Sequence, residues 1–262
     1  MILLFGGTGE TAELATALAS LGQPVLVSTA TDVPLNVGSH PLIEHIRGRL
    51  DEIAMLALVK KMAIRLLVDA GHPFAEQLHT TVAQVASLTR IPCLCYRRAS
   101  LSASGQGLYY VDSHEEAAKL AASFDKTILL TTGSRNLEPY VATTKARSLP
   151  LYARVLPHAE SEAACEAAGL AKKACIFARG PFSVEQNRDL LRRLGIGVMV
   201  SKDSGICGGV EEKLKAAATE EVMVVMIRQP DSVHNGCHTF TKAASLLVEA
   251  ELLLSKLNPS RP

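Results

Sequence analysis

Five short segments of the sequence carry the residue types that bind anionic ligands. Each follows a short apolar run, precedes a helix or turn and is rich in glycine or small polar residues. They are 6–10 (GGTGE), 69–73 (DAGHP), 131–134 (TTGS), 179–183 (RGPFS) and 201–205 (SKDSG). Backbone N–H groups at a helix start, together with the positive end of the helix dipole, favour a phosphate or carboxylate there. The pattern therefore predicts ligand-binding loops.

The first of these loops matches the dinucleotide-binding pattern. Gly7 and Gly9 are followed by Ala12, which gives the G-x-G-x-x-A spacing that the fingerprint requires between a strand and a helix. Glycines at these positions allow a tight turn and let a pyrophosphate approach the backbone closely. The same residues also suit a tight strand-to-helix turn that binds nothing, and the pattern alone leaves both interpretations open.

The end of the second predicted strand bears on the choice of cofactor. Enzymes specific for NAD commonly have an acidic residue there, which binds the ribose hydroxyls. This chain has Ser28 and Thr29 instead, and their hydroxyls can donate to a 2′-phosphate that a carboxylate would repel. The sequence therefore favours NADPH, while Asp32 would be the missing acid if the strand ran further.

Two of the other loops contain side chains with more than one interpretation. His72 precedes Pro73 at a helix start, where an imidazole can donate to a phosphate or act as an acid; a histidine that caps the helix fits equally well. Lys202 and Ser204 lie at a glycine-flanked strand end that suits an anionic ligand. A solvated loop in which Asp203 caps the next helix is the alternative.

The elements that must position these loops alternate along nearly the whole chain. Apolar runs predict strands at 2–5, 25–29, 43–46, 65–69, 93–96, 127–131, 151–155, 174–178, 197–201 and 222–228. Amphipathic stretches predict helices at 10–21, 51–62, 74–89, 114–123, 159–169, 183–194, 209–219 and 239–257. Val/Ile/Leu runs without strict polar alternation, separated by helices, are typical of doubly wound parallel sheets. The predicted fold class is therefore α/β.

Ten strands are many for one sheet of this kind, which indicates two domains. The segment 97–107 (RRASLSASGQG) has the composition of a linker. We therefore predict a dinucleotide-binding α/β domain over 1–100 and a second α/β domain over 101–262. The final helix, 239–257, is expected to pack on either one.

The composition excludes several classes of protein. The chain has 262 residues, of which 48% are hydrophobic and 20% charged, and its formal net charge is +1. Neither a disordered chain nor a nucleic-acid-binding or membrane-surface protein is therefore expected. No apolar run approaches the roughly 20 residues of a membrane helix, and no signal-peptide pattern precedes the first strand. Six cysteines without a matched pair of ligand spacings predict reduced thiols in a cytoplasmic protein, with no metal site.

Seven motifs, in order from residue 2 to about residue 230, resemble those of the precorrin-6A reductase family of cobalamin biosynthesis, which includes cobalt-precorrin-6A reductases. They are 2–10 (ILLFGGTGE), 69–75 (DAGHPFA), 131–134 (TTGS), 154–157 (RVLP), 180–183 (GPFS) with Asn187, 202–205 (KDSG) with 208–209 (GG) and 212–214 (EKL), and Arg228 with Pro230. The chain departs from the family where Gly71 replaces a common Thr and Cys95 a usual Arg, although Arg98 follows. Gln229 replaces a frequent second Arg, which removes one carboxylate contact.

The resemblance implies two Rossmann-like doubly wound domains with the active site in the cleft between them. It implies hydride transfer from a reduced nicotinamide cofactor, usually NADPH with NADH as the alternative, to a C=C bond of the precorrin-6A macrocycle, which gives precorrin-6B. The implied pyrophosphate and ribose contacts are Gly6, Gly7, Thr8, Gly9 and Glu10, with Ser28 and Thr29 near the adenosine. The implied contacts on the nicotinamide side are His72, Thr132, Gly133 and Ser134.

The resemblance also implies substrate and proton-transfer residues. The implied substrate contacts are Arg154, Lys202, Ser204, Lys213 and Arg228, and we expect their cations to converge on one basic cleft against a polycarboxylate tetrapyrrole. The proton that accompanies the hydride would come from Lys202, Asp203, His72 or water. Methyltransferases of the same pathway are the expected protein partners. A non-catalytic NADPH-binding regulatory protein and a nucleotide-dependent transferase are the competing hypotheses.

Overall fold

The computed structural model describes residues 1–30, 35–97, 104–205, 209–230 and 237–256. The described residues form two compact units: 1–97 and 237–256 make the first, and the remainder, 104–205 and 209–230, makes the second. Asp32, Arg98, Cys207, Gly208 and most of the predicted linker lie outside the described residues. Across the ranges described, no helix is long and apolar enough to cross a membrane.

The elements follow the predicted alternation. The strands are β1 Ile2–Phe5, β2 Val25–Thr29, β3 Ile43–Arg47, β4 Leu66–Asp69, β5 Cys93–Tyr96, β6 Leu108–Val111, β7 Ile128–Leu130, β8 Leu151–Val155, β9 Cys175–Phe177, β10 Val198–Lys202, β11 Met223–Ile227 and β12 His238–Phe240. The helices are α1 Thr11–Ala19, α2 Glu52–Lys61, α3 Glu76–Thr89, α4 His114–Ser123, α5 Glu138–Ala146, α6 Ala159–Ala167, α7 Val184–Arg193, α8 Val210–Thr219 and α9 Ala243–Lys256.

The first unit is a parallel sheet in the order β12-β5-β4-β1-β2-β3. Successive side chains of a strand point to opposite faces, and both faces are apolar here. Ile2 and Leu4 of β1 belong to a core that includes α1 and α9, whereas Leu3 and Phe5 belong to a core that includes α2 and α3. This arrangement confirms the predicted doubly wound α/β class.

The second unit is a parallel sheet in the order β6-β11-β10-β7-β8-β9. On one face, Leu129, Met199 and Met226 pack with residues of α7 and α8. The two sheets have the same strand arrangement, in which the strand order reverses at a switch point. The switch point lies between β1 and β4 in the first sheet and between β7 and β10 in the second sheet. Ligands of such sheets bind outside the carboxyl ends of the strands at that point.

The sixth strand of each sheet comes from a different part of the chain. In the second sheet it is β6, which precedes the rest of the unit, and in the first it is β12, which follows the whole of the second unit. Helix α9 then buries Leu246, Ala250 and Leu254 against the first sheet. The C-terminal segment thus belongs to the first unit, because that sheet offers β5 as an edge and an apolar face for α9. The predicted boundary placed 101–262 in the second domain but left the packing of the final helix open between the two.

Three elements were not predicted from the sequence. Strands β6 and β12 are short edge strands, and β12 has two exposed residues, so neither shows the buried apolar run used to recognise the others. Helix α5 contains Pro139 in its first turn and the β-branched residues Val141, Thr143 and Thr144. The two threonine hydroxyls donate to the backbone carbonyls of Pro139 and Tyr140 at 2.7 Å, which lets them occupy helical positions despite a weak propensity.

Candidate functional site

The register of the first sheet brings its loops together at the switch point. Phe5 pairs with Ser28 on one side and with Asp69 on the other, so the carboxyl ends of β1, β2 and β4 are level. The loops 6–10 and 70–75 therefore leave the sheet side by side. These are two of the five segments that the sequence pattern selected.

Thr11, which the sequence analysis did not select, organises the first loop. Its fully buried hydroxyl oxygen accepts hydrogen bonds from the backbone N–H groups of Gly7 and Thr8, both at 3.1 Å. A Cβ added to Gly6 would lie 2.4 Å from Thr11 Cγ2. Gly6 is thus required for packing against the first residue of α1. The sequence signal that could have identified this contact is the threonine that begins the helix just after the glycine loop.

The other two glycines of the loop face open space. Gly7 has a φ of +122°, and no atom outside its chain neighbours lies within 4 Å of a Cβ added at Gly7 or Gly9. The N-terminus of α1 follows directly, with Glu10 at the N-cap position and Thr8 buried behind the turn. A glycine backbone that is open to approach beside a helix N-terminus fits the pyrophosphate of a dinucleotide.

The end of β2 carries a polar cluster that extends onto β3. Ser28 and Thr29 are buried, and Thr29 Oγ1 lies 2.9 Å from His45 Nε2. Thr29 pairs with Arg47, the last residue of β3, which is exposed and, within the ranges described, forms no salt bridge. Burial, and secondarily the charge of Arg47, lower the pKa of His45. His45 and Arg47 escaped sequence reasoning because only the β2–β3 register brings them beside Thr29.

A buried ion pair fixes the loop that carries His72. His79 Nδ1 lies 2.6 Å from Asp69 Oδ2, and its Nε2 donates to the carbonyl oxygen of His72 at 3.0 Å. Asp69 Oδ1 accepts the N–H of Gly71 at 3.0 Å. The His72 ring is exposed, and its Nδ1 accepts the N–H of Phe74 at 3.3 Å. Asp69 and His79 thus hold the backbone of the loop while the His72 imidazole faces outward.

The register of the second sheet aligns its strand ends in the same way. Lys202 pairs with Ile227, which pairs with Val111, so β10, β11 and β6 end level with one another. Asp203 follows Lys202 and is 1% exposed; its carboxylate accepts the N–H of Gly205 at 3.1 Å. Ser204 is buried beside it. Asp203 therefore shapes the turn after β10.

Two buried cations lie next to each other in this unit. Arg154 Nη1 donates to Asn187 Oδ1 at 2.9 Å, and its guanidinium carbon lies 4.0 Å from the centroid of the Phe182 ring. Lys213 Nζ donates to Ser201 Oγ at 3.1 Å. Burial lowers the pKa of Arg154 to about 10; burial and then the charge of Arg154 lower the pKa of Lys213 to about 8. Neighbouring buried cations of this kind favour an anion beside them.

The other two predicted cations lie in different surroundings. Lys202 is half-buried near His114, where burial and then the charge of Lys202 lower the histidine pKa to about 4. Arg228 is exposed, and its Nη1 lies 2.8 Å from Asp112 Oδ1. The structure thus brings Arg154 and Lys213 together, but it places Lys202 near His114 and pairs Arg228 with Asp112.

Four buried side-chain atoms in the described chain have no hydrogen-bond partner, and all belong to the carboxyl edge of the second sheet. They are His114 Nε2, Thr132 Oγ1, Glu212 Oε2 and Gln229 Nε2. His114 follows β6, Thr132 follows β7 and Gln229 follows β11, while Glu212 lies in the first turn of α8. Buried polar groups in native proteins are nearly always paired. Their concentration at one sheet edge therefore marks a place where a polar ligand would supply the partners.

Comparison with known proteins gives one consistent family. The family model described as "Precorrin-6x reductase CbiJ/CobK" matches residues 1–248. A cobalt-precorrin-6A reductase of Priestia megaterium is 33% identical over 95% of this chain and 98% of its own length. A precorrin-6A reductase of Rhodococcus erythropolis is 30% identical over 87% of this chain and 89% of its own length.

A solved structure supports the fold independently. The structure of a CobK precorrin-6A reductase superposes with a TM-score of 0.78, at 21% sequence identity, over 96% of both chains. The likeness shows that this chain and that protein share the same fold. Together with the match over nearly the whole length, it confirms the resemblance predicted from the ordered motifs: the chain belongs to the CbiJ/CobK family of precorrin-6x reductases.

Proposed function

We propose that this chain is an oxidoreductase of cobalamin biosynthesis that reduces a C=C bond of the precorrin-6A macrocycle with a nicotinamide cofactor. The observation that carries the proposal is the carboxyl edge of the second sheet, where buried polar atoms lack partners and two cations are buried together. Such an edge suits a ligand with several carboxylate arms. The family relatives carry names with the same reaction.

The first unit is the proposed binding site of the cofactor. The open backbone at Gly7 and Gly9 and the start of α1 would hold the pyrophosphate, and the bound cofactor would supply the hydride. Glu10 at the helix start would accept from ribose hydroxyls. The buried pair of Asp69 and His79 would keep the 70–75 loop, with His72, in a fixed conformation beside that site.

We favour NADPH over NADH because of the cluster at the ends of β2 and β3. A 2′-phosphate there would meet the exposed Arg47 guanidinium and, next to it, the His45 and Thr29 pair. Guanidinium groups bind phosphate oxygens strongly because two N–H groups can point at them together. The hydroxyls of Ser28 and Thr29, which the sequence favoured for this role, are buried, so Arg47 is the better candidate for the direct contact.

The second unit is the proposed binding site of the macrocycle. Arg154 and Lys213 would together bind one carboxylate arm, with Asn187 and Ser201 holding the two cations in place. Burial and the neighbouring charge raise the free energy of the Lys213 ammonium, and a bound carboxylate would offset that cost. Thr132 Oγ1, unpaired at the end of β7, would donate to a second polar group of the ligand.

We assign delivery of the accompanying proton to Lys202. The carboxylate of Asp203 is buried and already accepts the Gly205 N–H, which leaves it poorly suited to reach a ligand. Lys202 ends β10 at the switch point, half-buried, and a protonated amine there can donate to the carbon next to the one that receives the hydride. Lys202→Ala should lose most turnover and still bind the cofactor. Lys119→Ala, which changes an exposed lysine on α4, should keep both turnover and cofactor binding.

Cobalt-precorrin-6A is the second candidate substrate, because one relative with that activity in its name is 33% identical over nearly the full length of both chains. The test follows oxidation of NADPH, and separately of NADH, by the purified chain with precorrin-6A and with its cobalt form. We expect oxidation with at least one macrocycle and a lower KM for NADPH than for NADH. No oxidation with either macrocycle would refute the proposed function, and normal turnover and KM in Lys202→Ala would refute the assignment of the proton donor.

A further inference from the structure

The unpaired nitrogens of His114 and Gln229 lie on neighbouring strand ends. Val111 of β6 pairs with Ile227 of β11, and the N–H of Arg228 donates to the carbonyl oxygen of Val111 at 2.9 Å. His114 therefore follows one strand by three residues and Gln229 follows the adjacent strand by two. Both nitrogens are buried without a hydrogen-bond partner in the described residues.

The surroundings of His114 determine which of its nitrogens carries the proton. Tyr140 is fully buried, its hydroxyl lies 2.8 Å from His114 Nδ1, and burial raises the pKa of that hydroxyl. Among the described residues, His114 Nδ1 is the hydrogen-bond partner of this buried hydroxyl, and a phenol that accepted from Nδ1 would leave its own O–H without an acceptor; the tyrosine therefore donates to Nδ1. Because the pKa of His114 is lowered to about 4, the imidazole is neutral at pH 7, and its single proton is on Nε2. His114 Nε2 is thus a donor that lacks an acceptor.

Gln229 supplies a donor of the same kind. Its side-chain amide nitrogen is the buried atom without a partner, and an amide N–H cannot act as an acceptor. Two N–H donors without acceptors, with the positive charge of Lys202 near His114, match a carboxylate, which offers two acceptor oxygens and a negative charge. A cation would be repelled by Lys202, and an apolar group would leave both N–H groups unpaired.

We propose that His114 and Gln229 form a second binding site in this unit for a carboxylate group of the ligand, in addition to the one formed by Arg154 and Lys213. Tyr140 is a positioning residue, because it fixes the tautomer of His114. The site deepens the proposed function and rests on it for the identity of the ligand: a macrocycle with several carboxylate arms would be held at two places on one sheet edge, with Lys202 beside the second.

Gln229 replaces an arginine in this arrangement, to judge by the family pattern that the sequence resembles. An amide can take the place of a guanidinium here because His114 contributes a second donor and Lys202 contributes the charge. At the proposed site, His114 and Gln229 would together supply the carboxylate contact that the resemblance implies is lost at this position. Gln229→Arg should therefore preserve or strengthen binding.

The test measures binding of a stable tetrapyrrole with acetate and propionate arms, uroporphyrin, and of its fully esterified form, by porphyrin absorbance. We expect His114→Phe and Gln229→Leu each to weaken uroporphyrin binding by roughly tenfold. Gln229→Arg should bind at least as well as the natural chain, and Gln77→Leu, an exposed glutamine on α3, should be unchanged. The ester, which lacks carboxylates, should bind all variants equally. In turnover with the natural substrate, KM should rise while kcat stays within a few-fold.

The outcomes separate this site from the proposed function. Equal uroporphyrin binding by the natural chain, His114→Phe and Gln229→Leu would overturn the site, even if the chain reduces precorrin-6A. Weaker binding by both variants in a chain that oxidises no cofactor with either macrocycle would support the site and overturn the proposed function. Retained cofactor binding by the first unit, together with an unchanged Tm, shows that a variant is folded; if His114→Phe fails this control, Gln229→Leu alone decides.

Discussion

Replacement of Lys213 by methionine should stabilise the protein and weaken its binding of an anionic ligand at the same time. The Lys213 side chain is buried, its ammonium lies near the Arg154 guanidinium, and Nζ donates to Ser201 Oγ at 3.1 Å. Burial first, and the charge of Arg154 second, lower its pKa from 10.5 to about 8. Methionine fills a similar volume without a charge.

The size and sign of the effect follow from the two pKa values. A pKa lowered from 10.5 to about 8 means that folding disfavours the ammonium by about 3 kcal/mol. Between these pKa values the unfolded chain binds more protons than the folded one, so the stability of the natural chain rises as the pH rises from 8 to 10.5. Methionine removes this cost but leaves the buried Ser201 hydroxyl unpaired, which costs about 2 kcal/mol.

At pH 7 the free energy of unfolding of Lys213→Met should exceed that of the natural chain by about 1 kcal/mol. This difference should disappear near about pH 9 and reverse above it. Urea unfolding at pH 7 and pH 10, followed by far-ultraviolet circular dichroism because the chain has no tryptophan, measures the difference. Lys215→Met is the matched control, since Lys215 lies on the same helix, exposed and paired with Glu211. In turnover, Lys213→Met should raise KM for the macrocycle by roughly tenfold and leave KM for the cofactor unchanged.

A stability difference between Lys213→Met and the natural chain that stays constant from pH 7 to pH 10 would refute the reasoning. It would mean that the Lys213 ammonium has the same free energy in the folded and unfolded chains. An unchanged KM for the macrocycle in Lys213→Met would refute the inference that the buried ammonium binds the ligand.

Three further changes test the first unit. Gly6→Ala places a Cβ 2.4 Å from Thr11 Cγ2, so its cofactor affinity, measured by calorimetry, should fall at least roughly tenfold. Adding Thr11→Ser to Gly6→Ala should restore part of that affinity, and an unchanged cofactor affinity in Gly6→Ala would contradict the packing of Gly6 against Thr11. His79→Phe leaves the buried Asp69 carboxylate without its partner and should lower stability in urea by about 3 kcal/mol; a loss below about 1 kcal/mol would argue against a buried ion pair. Arg47→Ala should raise KM for NADPH at least roughly tenfold and leave KM for NADH unchanged, and an equal rise for both would place Arg47 away from the 2′-phosphate.

Local patterns were sufficient for most of the elements and for the loops proposed to bind ligands. A strand that is buried on both faces has a continuous apolar run in its sequence, and β1, β4, β10 and β11 all have such a run. Glycines and small polar residues after such runs then marked the strand ends. Both switch points lie at loops selected in this way, because the chemistry of a strand-to-helix turn depends on neighbours along the chain.

Partners that are distant along the chain were out of reach of that reasoning. His79 meets Asp69, His45 meets Thr29, and Tyr140 meets His114, a separation of 26 residues, only after the sheets have formed. The return of α9 to the first sheet is of the same kind. The apolar residues of α9 could cover either sheet. The helix packs on the first sheet because β12, which directly precedes it, pairs with the edge strand β5 of that sheet.

The sequence by itself determined the family, the α/β class and the loops proposed to bind ligands, because each of these depends on residue types at short spacings. The tertiary structure decided how the charged residues are used. It buries Lys213 beside Arg154, uses the Asp203 carboxylate to hold its own loop, and leaves His114 Nε2 and Gln229 Nε2 buried without a hydrogen-bond partner in the described residues. Burial and strand register set the charge and the hydrogen-bonding role of a side chain, and both arise only when strands distant in the chain become neighbours.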